Sequence, residues 1–477
     1  MRTRGHAALA ATALLLLAGC GTSFVDTLAA EDAADPSPAP EAAPVEGCDQ
    51  RAEPDPDRPV VALDFRLDGD LRTVTGTETV VFTPDVATGE LVFRLVPNSP
   101  EAADVGNRLV VDAVRGDDVA EGGYVEAGAE EPGGLYVVRL DADLAPGEST
   151  EVELDFTLTL GSGSFERVGA DENVSWWASG APLLAWEPGV GWARDPFVEV
   201  LGETASSPVA DTRITVSAPA ELTVLMTGDQ DAPSAARAGR RTWSSTEPVA
   251  RDVSVAVGRF TTSTVTTPGG AEVTTGVLPD ADVGADELAD WTVTAIGDLE
   301  RRFGPFPYRT LTVPLLPDYG GGIEYPSSIL MAGASPLVLL HEVAHMYFYG
   351  MVGDSQFRDP WLDEAFATYA ESVTFPVAPG DLRRTLEIPG DVGAAMDEFR
   401  GTEDYFARVY GKGGAALVAA RDAAGAEAFD AAIRCYVDAN AWTIATPDDV
   451  ARALAGLPAA LDVLTAAGAL DEDDLPD

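Results

Sequence analysis

The segment His341-Glu342-Val343-Ala344-His345 holds the residues whose types and spacing suit catalysis best. Residues four apart lie on one face of a helix, so both imidazoles reach one metal ion. Glu342 stands one step round, beside that ion as a base rather than on it as a ligand. The chain has three histidines, and all but His6 lie in this motif. A catalytic zinc takes three protein ligands and a water, so with no other histidine the third ligand should be a carboxylate. Glu364 supplies one, nineteen residues after His345, in the first turns of a second helical segment. That interval lets one helix end and another return. Glu371, seven residues further, shares the face of Glu364. It either orients a zinc-bound imidazole or is a solvated helix carboxylate. For the first helix Ser335 is the expected N-cap, Pro336 its first residue and Gly350 its end; for the second, Asp359 is the expected cap and Pro360 the start.

These helices need a frame. From Val60 to Val265 the pattern is strand-like: Val61, Leu63, Phe65 and Leu67 alternate with polar residues, Asp68-Gly69 marks a turn, and a Thr/Val-rich run follows to Phe82. Near Asp286 the texture changes. Leu288, Trp291, Val293, Ile296 and Leu299 recur at helical spacing up to Phe303, a strand is expected over 311–316, and mostly helical patterns continue to about Ala467. The expected fold class is α+β and multidomain: an antiparallel, saddle-like β domain over 57–270, then a largely helical catalytic domain over 271–468 and an acidic tail over 469–477.

The N-terminus reads as an export signal over 1–19. Arg2 and Arg4 precede an apolar run, Ala7 to Ala18, too short to span a bilayer comfortably. Leu17-Ala18-Gly19-Cys20 is similar to a bacterial lipobox, with Cys20 as the lipidation site; a plain signal peptide is the alternative. Residues 20–56 read as a lipid-attached flexible linker rich in Ala, Pro and acidic residues. A disulfide between Cys48 and Cys435 is a further expectation, two isolated thiols the alternative. The expected site of action is the outer face of the cytoplasmic membrane.

The 477 residues carry 30 basic and 79 acidic side chains, a net charge of −49. Such a surface repels phosphate backbones and excludes nucleic acid as a partner. Lys412 is the only lysine. Oligomeric state is not readable from these features.

The HExxH motif, eighteen intervening residues and Glu364 within Trp-Leu-Asp-Glu-Ala-Phe-Ala resemble the zinc signature of the gluzincin metallopeptidases, and more narrowly the aminopeptidase N family, peptidase family M1. Gly321-Gly322-Ile323-Glu324-Tyr325 resembles that family's Gly-x-Met-Glu-Asn segment. The resemblance implies an edge strand in which Gly321 and Gly322 admit the substrate backbone and Glu324 binds its free α-amine. Tyr410-Gly-Lys412-Gly-Gly is similar to the family's Tyr-x-Lys-Gly element, which implies that Tyr410 stabilises the oxyanion. It further implies a thermolysin-like catalytic domain, one Zn2+ per chain held by His341, His345 and Glu364, a peptide substrate, and Glu342 as general base. Glu187 and Glu203 are candidates for a second amine anchor, with surface charge as the other reading. Only 67 residues follow Tyr410, too few for the helical cap of larger members, so an open cleft is expected. The activity so implied is that of a zinc aminopeptidase, with a zinc endopeptidase or a weakly active peptide-binding surface lipoprotein as alternatives.

Overall fold

The computed structural model describes residues 50–162, 167–202, 205–317, 319–376 and 378–476. These belong to one compact unit, Val45–Asp477. The signal segment, Cys20, Cys48 and Glu203 lie outside the described residues.

The alternating N-terminal pattern builds a seven-stranded sheet. Its order is Asp229–Gln230, Arg240–Ala250, Ala210–Pro219, Val60–Leu67, Thr73–Phe82, Thr150–Thr159 and Arg108–Arg115. Every pairing is antiparallel except that of Val60–Leu67 with Ala210–Pro219. Because side chains alternate between faces, Leu63 and Phe65 turn inward with Leu154, Phe156, Ile214 and Val216. They share one core with Leu91 and Phe93 of a second sheet and with Trp177, Val255 and Val257 of a third.

The C-terminal part starts from a five-stranded mixed sheet ordered Thr261–Thr266, Glu272–Val277, Thr310–Leu315, Ser328–Met331 and Gly322–Tyr325. Its first strand, Thr261–Thr266, pairs antiparallel with Glu272–Val277. The helix Ala285–Phe303 buries Leu288, Ile296 and Leu299 completely, while Trp291 and Val293 sit half-buried at the edge of that face. It stops at Gly304, whose φ of 94° suits a residue without Cβ. Ile296→Ala would cost about 2–5 kcal/mol, the usual range for emptying a core site. The core then continues through the helices Pro336–Ala344, Trp361–Thr374, Gly414–Ala424 and Ala426–Ala439. In the acidic C-terminal stretch, Ala469 and Leu470 are buried, and Asp471 to Asp473 are exposed.

Near the start of the described chain, Arg51 Nε lies 3.0 Å from Asp438 Oδ1, and the Ala52 amide donates to the Asp438 carbonyl at 2.9 Å. Residues 51 and 52 therefore lie along the helix that carries Cys435, which is disulfide-bonded. Among the described residues no helix is long and apolar enough to cross a membrane.

Candidate active site

The motif helix runs from Pro336 to Ala344, and the Ser335 hydroxyl caps it by accepting from the Val338 amide at 3.3 Å. It ends earlier than the position of Gly350 suggested: His345 is already the C-cap. Gly350 instead closes the turn that follows, its amide donating to the His345 carbonyl at 2.8 Å. The chain returns through residues 346–360 into the helix Trp361–Thr374, for which Pro360 is the N-cap. The expected capping by Asp359 is not made, because Pro at the N-cap moves the first turn on by one residue and no side chain caps it.

The two helices bring three ligand atoms together. His341 Nε2 lies 3.1 Å from Glu364 Oε2, and His345 Nε2 lies 3.4 Å from the same oxygen. His341, His345 and Glu364 are a group whose ligand atoms all fall within 4.8 Å of one another, a set that fits a tetrahedral metal with its fourth position open. The outer nitrogens are held as well. His345 Nδ1 makes a short hydrogen bond to Asp363 Oδ1, and Glu371 Oε1 lies 2.8 Å from His341 Nδ1, close but poorly aligned for an N–H···O bond. Such carboxylate partners fix ring orientation and make the imidazole a better ligand. Glu371 is therefore turned to the site rather than to solvent. Asp363 was not singled out from sequence. Its only signal was a carboxylate one step from Glu364 at the start of a helix otherwise apolar there.

The electrostatics ask for positive charge between these carboxylates. Burial works against a charge on His341, but hydrogen bonding to Glu364 and then the Glu371 carboxylate outweigh it and push the imidazole up to about 10. Burial likewise opposes ionisation of Glu364, yet His345 and His341 hold its carboxyl well below the usual range. That field favours positive charge among the three atoms, which a divalent cation can supply.

The strand side differs. Gly322–Tyr325 is the edge strand of the mixed sheet, paired antiparallel with Ser328–Met331 alone. Glu324 is buried, and its ligand oxygen falls within 4.8 Å of those of Glu342 and His345. Glu324 Oε1 and Glu342 Oε2 are both buried without a hydrogen-bond partner. Burial, and the neighbouring Glu324 charge against the pull of His341, push the Glu342 carboxyl up to about 8. Gly322 is needed for a reason the sequence did not reveal: a Cβ there would stand 2.7 Å from Glu342 Cγ. Gly321 has φ 92°, a left-handed backbone that favours glycine.

Tyr410 lies in a π-helical segment, Phe406–Gly413, rather than in a regular helix. Such wide turns are frequent at functional sites. Gly413 and Gly414 let that segment approach the return helix, since Cβ atoms there would stand 2.6 Å from Ala365 Cβ and 2.7 Å from Thr368 Cγ2. The approach carries the Tyr410 hydroxyl to Glu364 Oε1, to which it makes a short hydrogen bond, and stacks its ring on His341 at 5.9 Å and 5°. Burial, then the Glu364 charge, push the phenol well up, so Tyr410 stays a donor. Lys412 points elsewhere: its ammonium donates to the Gly390 carbonyl at 2.7 Å and ties the segment to a neighbouring loop.

The fold matches solved proteins. An M1 zinc metallopeptidase from Deinococcus radiodurans superposes with a TM-score of 0.64 at 20% identity, over 90% of this chain and 96% of that one. The chain has the fold of the M1 zinc metallopeptidases. A mutant form of that M1 protein, bound to a Tyr-Ser-Ala substrate, superposes with a TM-score of 0.63 at 20% identity, over 88% and 94% of the two chains. In sequence, 42 residues are 50% identical to aminopeptidase N of Streptomyces lividans, covering 9% of this chain and 5% of that one. A match of 135 residues is 27% identical to human endoplasmic reticulum aminopeptidase 1, covering 24% and 14%. The chain thus aligns with only a small part of these two relatives. No family model matches.

Of the two candidates for a second amine anchor, Glu187 alone is among the described residues. Glu187 is 1% exposed, and its partner is Arg358, which also lies 3.9 Å from Asp195. Burial in this ion pair replaces the surface role considered for it. Glu203 lies outside the described residues.

Proposed function

We propose that this chain is a zinc-dependent aminopeptidase that removes N-terminal residues from peptides. The observation that carries the reading is the pair of buried, unpartnered carboxylate oxygens on Glu324 and Glu342, beside three atoms fit to hold a metal. Buried carboxylates need compensating charge or donors. A substrate ammonium supplies it at Glu324, and a water proton at Glu342.

Zinc, when bound by His341, His345 and Glu364, supplies a Lewis acid that polarises the scissile carbonyl and acidifies the attacking water. The rest is the work of side chains. Glu342 Oε2 takes the proton of the water and later gives it to the leaving amine. The Tyr410 hydroxyl turns from Glu364 to the oxygen that gains charge in the transition state. Glu324 holds the α-ammonium and so fixes which peptide bond reaches Glu342. The edge strand offers its open side to the substrate backbone, with Gly321 and Gly322 admitting close approach.

The test compares peptides with free N-termini against their N-acetylated copies, with Glu342→Gln as the blank. Cleavage of only the free-amine copies is expected. Equal cleavage of both would make the protein an endopeptidase, and cleavage of neither would favour a peptide-binding lipoprotein. The proposed location, outside the cytoplasmic membrane on a lipid at Cys20, rests on the Leu17-Ala18-Gly19-Cys20 sequence. Labelled palmitate should enter the native protein and not Cys20→Ser; equal labelling would remove the anchor.

A further inference from the structure

The edge strand Gly322–Tyr325 is weakly fixed by its own sheet. Backbone pairing reaches it from Ser328–Met331 on one side only. It is entered through Gly320 and Gly321, at φ 81° and 92°, and left through a turn with Ser327 at φ 51°. A short strand with one ladder depends for its position on what packs behind it. Yet Glu324, on this strand, must stand at one place relative to the metal ligands for the substrate amine to be read.

The anchor lies on the opposite face. Successive strand residues point to opposite sides, so Tyr325 turns away from the site that Glu324 faces. Tyr325 is fully buried in an apolar cluster with Val174, Trp176, Ala178 and Ala256, strand residues of the β-rich region. Arg167 Nη1 donates to the Tyr325 hydroxyl at 2.8 Å, and its guanidinium carbon lies 5.8 Å from the ring centroid. The following turn is tied to the same region: the Gly228 amide donates to Ser327 Oγ at 2.9 Å, and Ser254 Oγ donates to Ser328 Oγ at 2.7 Å. A charged donor on a buried phenol is the strongest of these ties.

We propose that Arg167 is a positioning residue for amine recognition: by gripping the Tyr325 hydroxyl from the β-rich region, it fixes the edge strand so that Glu324 meets the α-ammonium of the substrate. This rests on the aminopeptidase reading above. The β-rich region then serves the amine site by holding a strand still, whatever ligands of its own it adds.

The test uses the full zinc-loaded chain and measures kcat and KM separately for a neutral tripeptide with a free N-terminus and for its N-acetylated copy. Arg167→Gln should raise KM for the free-amine peptide about tenfold with kcat within about twofold, since binding of the amine, not the chemistry, loses its register. Arg167→Lys should fall between it and the native protein. Tyr325→Phe keeps the ring in its cluster and removes only the hydroxyl, so it tests the same link without threatening the fold, and should raise KM about threefold. Unchanged KM in both Arg167→Gln and Tyr325→Phe would overturn the proposal. So would a fall in kcat at constant KM, the mark of a smaller folded fraction. If the native protein cleaves the acetylated copy equally well, the aminopeptidase reading fails first and this proposal falls with it.

Discussion

The helix side and the strand side of the site are built on opposite principles. On the helix side every ring nitrogen of His341 and His345 faces a carboxylate, and Glu364 is approached by both imidazoles and by the Tyr410 hydroxyl. Where the edge strand meets the motif helix, Glu324 of the strand and Glu342 of the helix each keep a buried oxygen with no partner. A group left unsatisfied in a buried place costs stability, so it persists where a ligand or a reaction will satisfy it. The helix side is rich in polar partners, although His341 Nδ1 and Asp363 Oδ2 also lack a hydrogen bond and its three convergent ligand atoms still call for a cation. In the proposed function, substrate and water supply what Glu324 and Glu342 lack.

Four measurements bear on that contrast. Glu342→Gln should lower turnover on the order of 10²–10⁴-fold, the usual worth of a general base, while metal content by elemental analysis stays unchanged. Loss of metal would instead make Glu342 a metal ligand. Tyr410→Phe should lower kcat by about 10²–10³-fold, as removal of an oxyanion donor does, with KM nearly constant. If only metal affinity fell, Tyr410 would act by holding Glu364 rather than by meeting substrate.

Asp363→Asn should weaken metal binding about 10–100-fold in a competition with chelator, because the His345 ring loses a charged partner. Glu371→Gln should weaken it less, since that carboxylate is partly exposed and poorly aligned with His341. Equal effects would show that charge alone, not hydrogen-bond geometry, sets ligand strength here.

The smallest effect concerns the frame behind the edge strand. Burial pushes the Glu247 carboxyl from 4.5 up to about 7, against a hydrogen bond with Ser327. The folded state therefore binds this proton more tightly than the unfolded state. Below about pH 4.5 both states hold it and nothing is lost; stability falls as pH rises towards 7, and the loss stays complete above that. Thermal melts of Glu247→Gln should match the native protein near pH 4 and exceed it by a few degrees above pH 7. A constant gap across pH would show that Glu247 is already charged in the folded chain.

The metal-binding set was legible because helix geometry converts spacing into direction. The four-residue step from His341 to His345 suffices to aim both rings at one point, and Glu364 needs only a second helix folding back. The proposed amine site rests on resemblance, since a carboxylate in a short Gly-rich strand has no period that marks it. Asp363, adjacent to Glu364, carried no signal of its own until His345 Nδ1 was seen against it. The resemblance implies that Gly322 admits the substrate backbone, whereas the Glu342 side chain packed on it is a constraint that no sequence pattern records. The early end of the motif helix at His345 and the wide turn around Tyr410 were likewise hidden, because both depend on what packs against them.

Local periodicity and composition carry the ligand types and their spacing, the β-rich and helical halves, and the acidic charge. Tertiary structure alone decided which carboxylates stand behind which imidazole, which buried oxygens stay unpartnered, and that Arg167 reaches Tyr325 across 158 positions of chain. Those are contacts between residues far apart in sequence, and no local pattern records them: they exist only once the sheet, its edge and the returning helix have packed.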